Sequence, residues 1–261
     1  MKATSGSGKD FPDGYIYPYN VWDFVRPSFF CPHDLERIGA LGDGGKVVCG
    51  MSRYERECPG PSSKQNKAQE LIVYSFGVSD DSSFEAALLQ RTNAAIWGYD
   101  YSVQSWAKDI PAHQASRAKF HKFAIGKESN KSSDPPSYTI QDLMEVNGHS
   151  YVDLVKMDIE GAEFDAMSSL VSSIVDGRPD ADNQTLPFGQ LLIEVHLLSG
   201  HHPFTVPADL PSWIKWWEAM ERLGLRPVNN EDNWIGDVGS GKPRFMEVLY
   251  PVLYGYANDM C

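Results

Sequence analysis

Apolar residues in this chain gather into short runs, separated by stretches with helical spacing. Leu71 to Ser79 reads as a buried strand broken by Gly77, and Phe84 to Leu89 as a helix, with Ser82 or Ser83 as its cap. Ala95 to Asp100 and Phe120 to Gly126 read as strands. Thr139 caps a short helix that runs to Met144. Val152 to Met157 is a strand, and helical spacing follows from Ala162 to Leu170. Phe188 to His196 is a strand, and Leu210 to Leu223 a helix with Pro211 near its start and Gly224 at its stop. Phe245–Tyr250 and Val252–Tyr254 read as two closing strands around a turn at Pro251. This alternation predicts one α/β domain on an open, mostly parallel sheet, from residue 11 to 261, after a polar flexible segment at 1–10.

The chemistry-bearing residues collect where strands end. Asp158, Glu160 and Glu163 crowd one strand-to-helix turn. Acids there complement a helix dipole, but that does not explain Asp158 at the strand tip. In open α/β sheets ligands bind beyond the carboxyl ends of the strands. Glu194 and His196 end the next strand and share a face, because residues two apart do. The Gly77 turn lets a ligand approach the backbone ahead of a helix N-terminus. Asp100 lies about 20 residues further on, the spacing for an acid that grips ribose hydroxyls, with Tyr101 and Ser102 beside it. Capping a helix over Ser102–Trp106 is the alternative for this group. Asp43-Gly44-Gly45 is a strong turn signal that opens a strand at Lys46-Val47-Val48.

The run Lys156-Met157-Asp158-Ile159-Glu160-Gly161-Ala162-Glu163 is a full match to the K-x-D-x-E-G-A-E signature of FkbM-type S-adenosylmethionine-dependent methyltransferases, and the segment resembles that family. The Asp-Gly-Gly-Lys turn followed by a short strand and Cys49 resembles its eukaryotic secretory-pathway relatives. The resemblance implies a Rossmann-like, class I methyltransferase fold: a doubly wound, seven-stranded, mostly parallel sheet with an antiparallel C-terminal hairpin. It implies S-adenosylmethionine as the donor, with Ser75, Gly77, Ser82, Asp100, Tyr101, Ser102, Ala124 and Asp158 as cofactor-binding residues. It places Asp43 and Lys46 near the active site. The catalytic set is His196, Asp158, Glu160 and Lys46, with His196 the first candidate to take the acceptor's proton. Oxygen-rich ligands with one histidine would also suit Mg²⁺ or Mn²⁺ between Asp158, Glu160, Glu194 and His196. The acceptor is a small molecule, a glycan or a protein. O-methylation of a sugar or other hydroxyl comes first, and N-methylation of a protein side chain is the alternative.

Composition narrows the remaining choices. A hydrophobic fraction of 42% over 261 residues supports a real core. A net charge of -12 gives no general footprint for nucleic acid, and no apolar run is long enough to span a bilayer. Cys31, Cys49, Cys58 and Cys261 lack a zinc-type spacing, and Cys49 and Cys58 flank a polar loop that a disulfide could close. With sequons at Asn130 and Asn183 they favour the secretory pathway over the cytoplasm. An NAD-dependent oxidoreductase is disfavoured by the single glycine after the first strand and by the lack of a Tyr-x-x-x-Lys pair. A catalytically silent binding domain with an aromatic N-terminal segment (Tyr15, Tyr17, Trp22) is the third reading.

Overall fold

A computed structural model describes residues 11–12, 18–55, 70–177, 184–198, 204–242 and 244–252. The elements run β1 (Leu35–Ile38), β2 (Lys46–Cys49), α1 (Met51–Tyr54), β3 (Ile72–Phe76), α2 (Ser83–Arg91), β4 (Ala95–Tyr99), β5 (Ala118–His121) and β6 (Ala124–Ile125). They continue with β7 (Ser137–Tyr138), α3 (Ile140–Asn147), β8 (Val152–Met157), α4 (Glu163–Gly177), β9 (Phe188–His196), α5 (Leu210–Arg222), β10 (Asn229–Asp232), α6 (Trp234–Ser240) and β11 (Phe245–Pro251).

Seven strands form one sheet in the order β10-β11-β9-β8-β3-β4-β5. The pairs β3–β4, β3–β8, β4–β5 and β8–β9 are parallel, while β11 runs antiparallel to both β9 and β10. Strand order reverses between β3 and β8, so their carboxyl ends frame the crevice expected to hold a ligand. This is the predicted fold class with its antiparallel hairpin. The hairpin's composition differs from the sequence reading. Phe245 to Pro251 is one strand, and its partner is Asn229–Asp232. Val252 lies past the strand's end, bridging Leu225 and donating its N–H to Gly189 O. Residues 253 and 254 lie outside the described residues.

Alternating side chains build a core on each face. Tyr74, Phe76, Tyr99, Val155 and Met157 pack with α3, α4 and α5. Val73, Ile96, Leu154, Leu192 and Leu249 pack with α2 and the β1–β2 hairpin. Thr139 Oγ1 accepts from Asp142 N, as expected of a cap. Trp22 and Val21 are buried against α5, where Trp213 Nε1 donates to Val21 O, so this part of the aromatic N-terminal segment is core. No described helix is long and apolar enough to cross a membrane.

Cys49 is bonded to Cys31 across 5.8 Å between Cα atoms, which corrects the pairing expected with Cys58. Spacing along the chain favours a near neighbour. In the fold, the segment before β1 comes back alongside the end of β2. Cys58 and Cys261 are outside the described residues, as are Tyr15, Tyr17 and Asn183. The 102–106 segment forms bends, so no helix starts there.

Candidate active site

The signature run folds into a loop closed by its own last residue. After β8, Glu160 adopts φ 58° and Gly161 φ 106°. Left-handed backbone costs a non-glycine residue roughly 1–2 kcal/mol, so strain is held at the site's edge. Glu163 restrains it. From the first turn of α4 its Oε1 accepts from Ile159 N at 2.9 Å and its Oε2 from Gly161 N at 2.9 Å. The same Oε1 also accepts from His196 Nδ1 at 2.9 Å. Glu163 is therefore more than a partner for the helix dipole: it fixes the loop and orients the histidine.

That orientation turns His196 Nε2 toward the carboxylates, 3.8 Å from Asp158 Oδ1 and 3.6 Å from Glu160 Oε2. Burial alone would lower the His196 pKa, but the charges and hydrogen bond of Glu163, with Asp158 and Glu194, push it up to about 10. A pKa raised this far favours the imidazolium at neutral pH, which weighs against the expected role of His196 as first proton acceptor.

Lys46 arrives on the β1–β2 hairpin, which lies over the same face. The turn needs its glycines. A Cβ on Gly45 would stand 2.1 Å from Ala40 O, and one on Gly44 would meet the Asp81 carboxylate. Lys46 Nζ lies 2.8 Å from Glu247 Oε1, 3.4 Å from Asp158 Oδ2 and 3.7 Å from Glu194 Oε2. It is buried. Desolvation opposes its charge, but Asp158, Glu247 and Glu194 outweigh that and raise its pKa. Glu194 and Glu247 stand directly opposite on β9 and β11. Like charges so placed repel, and the ammonium of Lys46 stabilises the pair. Burial and the neighbouring Asp158 nonetheless raise Glu194 to about 8. Asn233 Nδ2 donates to Glu194 Oε1 at 2.7 Å and reaches Asp43 Oδ1 at 3.5 Å. Burial would raise Asp158, but Lys46, His196 and Lys156 hold it below the usual carboxylate range.

Glu247 and Asn233 escaped the sequence reading. The signal for Glu247 was an acid between Met246 and Val248 in an otherwise apolar strand.

The glycine turn sits beside this cluster. Gly77 has φ 79°, and a Cβ there would stand 1.7 Å from Asp158 O, so the tips of β3 and β8 touch. Asp100 Oδ2 accepts from Val78 N at 2.8 Å and Ser79 N at 2.9 Å. Its Oδ1 accepts from the backbone N and hydroxyl of Ser102, both at 2.7 Å. Burial would raise this carboxyl, but these donors together hold it low. Asp100 thus organises the turn, and Tyr101 beside it is exposed.

Other predicted residues face inward. Ser75 is fully buried, and its hydroxyl donates to Glu85 at 2.5 Å. Ser82 is also fully buried: its backbone N donates to Asp109 Oδ2, its hydroxyl accepts from Ala107 N, and it makes no side-chain cap to α2. Ala124 lies on β6, past the end of β5, with its N–H donated to Pro136 O. Beside it Tyr99, His121 and Phe123 form a stack with centroid steps of 5.4 and 5.3 Å.

Among the described residues, two groups are compact enough to hold a cation: Asp158 with Glu194 and His196, and Asp43 with Glu194 and Glu247. Their surroundings do not fit a resident Mg²⁺ or Mn²⁺. Lys46 already supplies a cation to Asp158, Glu194 and Glu247.

A sulfonium donor fits better, because the strand tips carry more carboxylates than cations. The site brings together His196, Asp158, Glu160 and Lys46. Gly77 and Asp100 adjoin them, while Ser75 and Ser82 are enclosed beneath.

A family model described as a methyltransferase domain matches residues 15–237. The probable methyltransferase-like protein 24 of Rattus norvegicus is 26% identical over 166 residues, which is 60% of this chain and 40% of that relative. Less than half of the relative's length is therefore matched. Among solved structures, the Methanococcus jannaschii fibrillarin pre-rRNA processing protein has a TM-score of 0.38 at 12% identity, covering 84% of this chain and 98% of its own. The Burkholderia thailandensis 1,6-didemethyltoxoflavin-N1-methyltransferase has a TM-score of 0.36 at 13% identity, covering 70% and 72%. Both are distant, and the strand order itself defines the architecture. With its family model spanning well over half of the 261 residues, the chain belongs to the methyltransferase-domain family.

Proposed function

We propose that this protein is an S-adenosylmethionine-dependent methyltransferase of FkbM type that methylates a hydroxyl on a sugar or other small acceptor. The observation that carries this is the meeting of four strand tips. The glycine turn after β3 touches Asp158 after β8, Asp100 after β4 braces that turn, and His196 at the end of β9 faces Asp158. S-adenosylmethionine supplies an activated methyl on a sulfonium.

The chain's own residues then have distinct tasks. Asp158 and Glu160 offer carboxylates to a positive centre and to an acceptor hydroxyl. Asp100 Oδ1 is the atom that a ribose hydroxyl would claim, by exchange with the Ser102 hydroxyl. As an oxygen acquires a methyl its proton becomes strongly acidic, so a carboxylate suffices to take it. Asp158 fits that role better than His196, whose raised pKa favours the imidazolium. The imidazolium, held by Glu163, and Lys46 keep Asp158 ionised and in place. Positioning of this kind supplies much of an enzyme's rate gain. Trp234, 61% exposed and next to Asn233, gives the acceptor an apolar lip.

An amine acceptor is the second reading, favoured by the exposed acids Asp43 and Glu160. The Cys31–Cys49 bridge and the exposed sequon at Asn130 support a lumenal, glycosylated setting. A mobility shift on endoglycosidase treatment of protein from secretory cells checks that setting; its absence refutes glycosylation.

Titration calorimetry with S-adenosylhomocysteine tests the core of the reading. One-to-one binding without NADH binding is expected, and no binding refutes it. Mass spectrometry after incubation with trideuteromethyl donor then identifies the acceptor atom. Label on a nitrogen would replace the hydroxyl reading with the amine one.

A further inference from the structure

Under the Gly77 turn lies a polar trio formed by Ser75, Lys156 and Glu85. Ser75 on β3 and Lys156 on β8 are register partners, so both side chains reach toward α2, where Glu85 stands in the first turn. Lys156 Nζ pairs with Glu85 Oε1 at 3.2 Å and donates to Gly77 O at 2.9 Å. Ser75 Oγ donates to the same Glu85 Oε1 at 2.5 Å. Glu85 Oε2 is buried with no hydrogen-bond partner. All three residues are almost wholly out of water.

Stability is a weak reason for such a group. Replacing a buried ion pair by apolar side chains of similar volume is often neutral. The trio does something an apolar set could not: it holds a carbonyl. The turn is fixed by Gly77 N donating to Tyr99 O at 3.0 Å and by Val78 N and Ser79 N donating to Asp100. Those contacts all engage N–H groups. Lys156 takes the carbonyl side, and the turn then carries Ser79 in a left-handed conformation at φ 52°. Lysine at this place in the signature run has the length to cross from β8 to β3.

We propose that Lys156, held by Glu85 and Ser75, is a positioning residue for the methyl donor: it sets the Gly77–Ser79 turn in the shape that receives the sulfonium nucleoside. This rests on the reading of the strand tips as the donor pocket.

The test is titration calorimetry with S-adenosylhomocysteine on wild type, K156M/E85Q and S75A, with thermal melts and amide hydrogen exchange. The double variant removes both charges together, so neither is left buried and unpaired. This variant should bind the nucleoside on the order of tenfold more weakly. Exchange at Val78 and Ser79 should quicken while that of β9 stays the same. A folded double variant with wild-type affinity overturns the proposal and leaves the donor pocket standing. Should the double variant not fold, S75A decides: it loses one hydrogen bond, and about threefold weaker binding is expected. Unchanged binding in S75A is then the overturning result. Wild type that fails to bind would remove the donor-pocket reading, and this proposal with it.

Discussion

Replacing Glu163 by Gln probes the residue on which the loop and His196 both depend. Glu163 is fully buried and accepts three hydrogen bonds, two on Oε1 and one on Oε2. In Gln, the carbonyl oxygen can keep the Ile159 and His196 bonds, but the amide NH₂ then faces Gly161 N–H. An unsatisfied buried donor costs about 1–3 kcal/mol, and the remaining two bonds lose their charge assistance, about 1 kcal/mol each. The sum is about 3–5 kcal/mol, which for a chain of this size is a melting point roughly 10 °C lower. Glu163 is also the main influence raising the pKa of His196. Losing a charge-assisted bond worth about 1.5–3 kcal/mol should bring His196 down from about 10 by about one to two pH units. NMR titration of the His196 ring protons reads this directly, alongside a thermal melt. A Glu163→Gln variant that melts within 2 °C of wild type (roughly 0.5–1 kcal/mol), or whose His196 still titrates near 10, would show that Glu163 neither closes the loop nor governs the histidine.

Three further outcomes follow from the same geometry. Because His196 goes from 6.5 to about 10 and Glu194 from 4.5 to about 8 on folding, both contributions are present at low pH and are lost as pH rises through those folded values. The melting temperature should therefore fall from pH 6 to pH 10, with E194Q flattening the part below 8; a rise over that range contradicts the assignment. Gly77→Ala places a Cβ 1.7 Å from Asp158 O at φ 79°, so the variant should lose about 2–4 kcal/mol in a urea melt, and loss of under 0.5 kcal/mol would mean the strand tips do not touch. Cys31→Ser opens an 18-residue loop and should cost about 3 kcal/mol under oxidising conditions and nothing in reductant. An equal loss in both conditions argues against the bridge.

Much of the fold can be read from the chain because its inner strands are buried on both faces and show as mostly apolar runs, as Ile72–Phe76 and Ala95–Tyr99 do. The edge strand β10 does not: Asn229-Asn230-Glu231-Asp232 is half-buried throughout and bonds on one side, so it carries no apolar signal. The acid cluster was legible at Asp158, Glu160, Glu194 and His196, which lie at ends of apolar runs. Glu247 was hidden in mid-strand. Its role depends on the antiparallel register that sets it opposite Glu194, and no local pattern encodes that. The partner of Cys49 was likewise decided by tertiary packing rather than by spacing. Asp100 was visible as an acid at the right distance from Gly77, but its grip on Val78 and Ser79 depends on how closely the tips of β3 and β4 approach.

A crystal structure grown with S-adenosylhomocysteine is the most direct check on the strand-tip pocket. Density for the nucleoside should lie against Gly77, with its ribose at Asp100 and its sulfur facing Asp158. Density elsewhere, with Asp100 still bound to Ser102 and the crevice between β3 and β8 filled only by solvent, would contradict it.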